Sequence, residues 1–96
     1  MVSQVTVTTE SPSVLKPLLR IAIQNEARAL SQGIKRTRER LVAFEKQYGM
    51  TSDEFERRYV AAEIAESLEF IEWLGEIKML RGLNEQKSAL DGARVK

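Results

Sequence analysis

From Ile23, alternate steps of four and three residues land on Ala27, Leu30, Ile34, Thr37, Leu41, Phe44 and Tyr48. This is a heptad stripe with one polar member, and it predicts a long amphipathic helix. Leu15, Leu18, Leu19, Ala22 and Val42 widen the apolar face, while Arg28, Gln32, Lys35, Arg36, Glu39, Lys46 and Gln47 hold the opposite one. Ser11-Pro12-Ser13 signals the start, because serine caps orphan N–H groups and proline suits the first helical position. Pro17 lacks an N–H, so the regular helix is expected to begin between Pro12 and Pro17. Gly33 costs about 1 kcal/mol relative to alanine inside a helix, or it allows close helix approach.

The pattern stops and restarts within seven residues. Gly49 follows the last stripe residue, where a left-handed helix terminus suits glycine. Thr51-Ser52-Asp53-Glu54 fits a capping box: Thr51 accepts from the Glu54 N–H while the Glu54 carboxylate returns to the Thr51 N–H. Met50 and Phe55 flank it as a hydrophobic staple. A helical hairpin turning at Tyr48-Gly49-Met50-Thr51 is the expectation.

Past the turn, Phe55, Tyr59, Val60, Ala62, Ile64, Leu68, Ile71, Leu74, Ile77 and Met79 continue at helical spacing, with Phe70 and Trp73 broadening the arc. Ser67 offers a second start that would divide this arm into a short and a longer helix. Gly82, Asn84 and Asp91-Gly92 weaken the end. Three regions follow: an extended arm or short strand at 1–11, a helical hairpin domain at 12–90 and a mobile tail at 91–96 carrying Arg94 and Lys96. The strand expectation rests on Gln4–Thr9, which alternates valine with threonine before Glu10-Ser11-Pro12.

A helix from Pro17 to Tyr48 would be about 48 Å long, longer than a small core is wide. A lone hairpin buries one stripe per helix, so the broad arcs predict a homodimer closing a four-helix bundle. The fold class is therefore all-α, a long helical hairpin with a short N-terminal strand or arm. Its hairpin or dimer core is expected at Ile23, Leu30, Ile34, Leu41, Phe44, Tyr48 and Phe55.

Charge adds orientation. Residues 1–50 carry eight Lys/Arg against four acids, 51–77 two against eight, and 78–96 five against two, which favours packing a basic helix on an acidic one. Cysteine and histidine are both absent, so disulfides, thiolate nucleophiles and the commonest zinc ligands are excluded. The ladder Glu63, Glu66, Glu69, Glu72, Glu76 resembles the carboxylates of di-metal bundles, but those pair with Glu-x-x-His; a solvated face is the better reading, with no metal and no cofactor. Lys35-Arg36-Thr37-Arg38-Glu39-Arg40 and Arg57-Arg58 invite a nucleic-acid reading. The near-neutral net charge of +1 and the interrupting Glu39 argue against it as a direct ligand. No stretch approaches a membrane span, and a cytoplasmic protein is expected.

The segment Phe44-Glu45-Lys46-Gln47-Tyr48-Gly49-Met50-Thr51-Ser52-Asp53-Glu54-Phe55, followed by Leu68-Glu69-Phe70-Ile71-Glu72-Trp73, resembles a pattern in small prokaryotic helical proteins that serve as antitoxin-like components of toxin–antitoxin pairs. The resemblance covers about residues 41–80. It implies a non-enzymatic protein that binds a cognate toxin, with toxins acting on RNA as one class. Around Ile64-Ala65 the chain is more helix-prone than that pattern. The partner contact is expected on the arc Phe70, Trp73, Ile77 and Leu80, together with the N-terminal arm. A structural homo-oligomeric scaffold is the alternative.

Overall fold

The structure, a computed structural model, describes residues 4–93 and residue 95. Three helices follow one another: α1 at Pro12–Tyr48, α2 at Ser52–Val60 and α3 at Leu68–Asp91. No strand forms among the described residues, and residues 4–9 carry no regular secondary structure and are exposed. With no neighbouring strand to accept its backbone hydrogen bonds, the alternation there has nothing to pair with. The tail expected at Arg94 and Lys96 lies outside the described residues, as do residues 1–3.

α1 starts at Pro12, where proline occupies the first turn. Ser11 makes no side-chain cap; its carbonyl accepts from Val14 and Leu15, and its N–H donates to Thr9 Oγ1 at 3.1 Å. The stripe read from the sequence is the buried line of α1. Leu30, Ile34, Thr37 and Leu41 are buried, and Ile23, Ala27, Phe44 and Tyr48 are half-buried. At the far end Gly49 adopts φ 65°, and its N–H bonds the Glu45 carbonyl at 2.8 Å.

The restart is half of the expected capping box. Thr51 Oγ1 accepts from the Glu54 N–H at 3.1 Å, but the Glu54 carboxylate turns to Arg58 at 2.7 Å and Arg57 at 3.5 Å. Glu45, reaching back from the last turn of α1, supplies a second acceptor and takes the Ser52 N–H at 2.7 Å. A carboxylate there also suits the positive end of the α2 dipole.

The arm after the turn is not one helix. α2 ends in a Schellman arrangement: the Ala62 N–H bonds the Tyr59 carbonyl and the Glu63 N–H the Arg58 carbonyl, with Ala62 left-handed at φ 58°. Residues 61–67 are non-helical, so the helix expected through Val60, Ala62, Ile64 and Leu68 is interrupted. The helix-prone reading of Ile64-Ala65 is overturned with it. Ser67 then caps α3, its Oγ accepting from the Phe70 N–H at 3.2 Å.

α3 runs back along α1. Phe44 stacks on Trp73, Arg40 bonds Glu76 at 2.9 Å, and Leu83 lies 3.5 Å from where a Gly33 Cβ would sit. The result is a rod of 57 × 27 × 19 Å with a radius of gyration of 18.6 Å, against about 12.5 Å for a compact chain of this length. α3 is shorter than α1, which leaves the first dozen or so residues of α1 as an overhang. There the Arg20 guanidinium reaches the Val95 carbonyl at 3.3 Å.

Candidate functional site

The centre of the molecule is aromatic. Trp73 is fully buried and lies against Phe55, 3.9 Å between ring centroids with planes 2° apart. Phe44 stacks beyond it at 5.4 Å and Tyr48 at 5.6 Å. The indole N–H donates to Ser52 Oγ at 3.0 Å, so α3 is tied to the first residue of α2. Leu41, Phe55, Trp73 and Ile77 form this core, with Phe70, Leu74 and Leu80 packed against it.

That packing places the residues of the expected partner surface in and around the core. Trp73 and Ile77 are buried by the chain's own α1 and α2, and Phe70 and Leu80 are half-buried around them. The arc is internal because α2 folds over the turn end and seats Phe55 on the indole. Leu30, Ile34, Leu41 and Phe55 are buried within one chain, with no second copy required.

The acidic ladder also divides. Glu63 and Glu66 lie in the 61–67 linker while Glu69, Glu72 and Glu76 are on α3. Glu66 accepts from the Tyr59 hydroxyl at 2.9 Å, Glu69 accepts from the Tyr48 hydroxyl, and Glu76 pairs with Arg40. No group of three metal-ligating side chains occurs among the described residues. The basic run is likewise split: Thr37 is buried, Arg40 is engaged by Glu76, and Arg57 and Arg58 share Glu54. Across the far side of the rod Arg81 forms a two-point pair with Glu56 at 2.9 and 3.3 Å, and the carboxylate holds its guanidinium pKa above the usual value.

Tyr59–Glu66 ties the linker to α2 and Tyr48–Glu69 ties α1 to α3, and each bond raises its phenol above the ordinary pKa of 10.0, chiefly because the hydroxyl donates to the carboxylate. A raised folded-state value contributes stability that is complete below the unfolded pKa and lost as pH climbs through the folded one. Stability should therefore hold up to about pH 10 and decline above it. The double variant Y48F/Y59F should show a shallower alkaline decline in chemical-denaturation midpoints; an identical decline would show that these hydroxyls do not contribute.

What remains exposed is more informative than what is enclosed. Val14, Leu18 and Ile21 on the overhang are 60, 56 and 53% exposed, and Val60, Leu68 and Ile71 at the turn end are 77, 73 and 51% exposed. The accessible surface is 7543 Å², about 2,000 Å² more than a compact monomer of this mass presents, a surplus to which the exposed residues 4–11 contribute. One side of a standard protein interface needs about 800 Å².

Two grooves run between α1 and α3. The larger, of about 690 Å³, is lined by the apolar Ile34 and Val42 and by Ser31, Lys35, Arg38, Glu39, Asn84 and Lys87; Lys87 also pairs with Asp91 at 2.8 Å. The smaller, on the opposite flank, is lined by Arg40, Ala43, Phe44, Gln47, Glu72 and Glu76. Sequence reading places Ile34 and Val42 on the apolar face and Lys35 and Glu39 on the solvated one but singles out neither Ser31 nor Lys87; only the docking of α3 brings Asn84 and Lys87 to Lys35 and Arg38. Among the described residues no helix is long and apolar enough to cross a membrane. No family model, curated protein or solved structure matches this chain.

Proposed function

We propose that this chain acts by binding rather than by catalysis, as a small cytoplasmic helical module of antitoxin type that engages a cognate protein. The observation that carries the reading is the larger groove, where the apolar Ile34 and Val42 lie among the cations Lys35, Arg38 and Lys87, with Glu39 and the Asp91 partner of Lys87 leaving a net positive lining. Such a groove suits an amphipathic partner helix that buries apolar side chains and presents carboxylates at its edges. The resemblance at residues 41–80 supports the same class of function. The Phe70–Leu80 arc is a core element in this reading, and the partner contact moves to the groove.

Co-expression with the product of the neighbouring gene tests it. A complex should co-purify, and K35E/R38E should weaken it by about tenfold, the 1.4 kcal/mol expected when two cationic contacts become repulsive. Two folded proteins that do not associate would overturn the reading. The alternative, a homo-oligomeric scaffold, draws on a different observation, the apolar side chains exposed at both ends of the rod.

A further inference from the structure

We propose that two copies of this chain pair antiparallel, face to face, with Leu18 of each copy seated on Leu68 of the other. The inference rests on reading the exposed apolar surface as docking surface, but it uses the flank opposite the cationic groove. Three observations lead to it.

The first is the overhang itself. Val14 to Ile23 is apolar apart from Lys16, Pro17 and Arg20, and at 100° per residue its apolar side chains spread over an arc of about 200°. An apolar arc that wide is normally covered, yet Val14, Leu18 and Ile21 are more than half exposed.

The second is register. Leu83 contacts the Gly33 position, fixing one level at which α1 and α3 meet. Leu18 precedes Gly33 by fifteen residues and Leu68 precedes Leu83 by fifteen. Because the helices are antiparallel, the two leucines lie about 22 Å to either side of that level. A two-fold axis through it brings Leu18 of one copy level with Leu68 of the other. They also share a flank. Leu18 is about seven helical turns from Ala43 and Leu68 about one turn from Glu72, and Ala43 and Glu72 both line the smaller groove.

The third is charge. Residues 59–77 hold Glu63, Glu66, Glu69, Glu72 and Glu76 with no lysine or arginine, whereas α1 from Pro12 to Ala29 holds Lys16, Arg20 and Arg28 against Glu26. Antiparallel copies set the acidic end of one rod beside the basic end of the other; parallel copies would oppose like charges.

The chain has no cysteine, so introduced thiols report only on each other. At tens of micromolar the protein should sediment at twice its 10.9 kDa mass. L18C/L68C treated with diamide should give a covalent dimer, while L18C alone should give little, because its two thiols would sit at opposite ends. L18E should sediment as a monomer with unchanged helix content, since Leu18 contributes little to the single-chain core, and should still bind the partner of the cationic groove. A wild-type monomer would overturn the proposal, as would efficient cross-linking of L18C alone.

Discussion

Replacing Trp73 with alanine should destabilise the fold by about 3–5 kcal/mol, the usual range for deleting a fully buried aromatic. The indole is enclosed by Phe44, Tyr48 and Phe55, one ring from α2 and two from α1, so the void would open where all three helices meet. The Ser52 hydroxyl would also lose the indole N–H that now bonds it in a buried position. A chain of this size has roughly 5–14 kcal/mol of stability in total, so a substantial part would go. Urea unfolding followed by far-ultraviolet circular dichroism measures the loss without relying on the missing fluorophore. A change below 1 kcal/mol would mean that Trp73 is not the keystone of a single-chain core and would revive its reading as an exposed partner contact. W73F, which keeps a ring but removes the N–H, should fall between the two.

The second large effect concerns the two left-handed residues, and it has opposite signs at the two sites. Gly49 has φ 65°, and a Cβ added there would meet nothing within 4 Å. The expected loss in G49V is therefore conformational: about 1–2 kcal/mol for an L residue in the left-handed region, toward the upper end for a β-branched one. Ala62 already bears that cost at φ 58°. A62G should remove it, offset by the about 0.4–1 kcal/mol that glycine adds to the freedom of the unfolded chain, for a net gain of up to about 1 kcal/mol. Thermal melts of both variants decide the matter: G49V should melt lower and A62G no lower than the parent. An unchanged melting temperature for G49V would show that the turn does not depend on a left-handed Gly49.

The contrast between those residues explains which boundaries could be read in advance. Gly49 announces a helix end because glycine is the residue that adopts positive φ at least cost. Ala62 does the same work without announcing it, since alanine is the best helix former and the pattern around Val60 and Ile64 stays in phase. Ser67 left a visible cap signal, and it caps. Half of the capping box formed as expected at Thr51, while the other half went to Glu45, seven residues before Ser52 and across a turn. Cap residues act within one turn of chain and can be read locally; Glu45 depends on how the turn folds back.

The candidate surfaces follow the same division. Lys35, Arg38 and Val42 could be placed on α1 from spacing alone, but their meeting with Asn84 and Lys87 depends on the antiparallel register of α3. Phe70, Trp73, Ile77 and Leu80 read in the sequence as a face for a partner, whereas within the chain α1 and α2 cover Trp73 and Ile77; hydrophobic periodicity shows that a face must be covered without saying by what.

By itself, then, the sequence determined that this chain is helical, that α1 carries one buried line from Ile23 to Tyr48, and that it reverses at Gly49. These follow from side-chain period, backbone freedom and cap chemistry, all of which act over a few residues. The tertiary structure alone decided that α2 closes over Trp73, that residues 61–67 leave the helix, and that the overhang of α1 is left uncovered. Those outcomes depend on competition among distant segments for the same apolar surface, which no local pattern records.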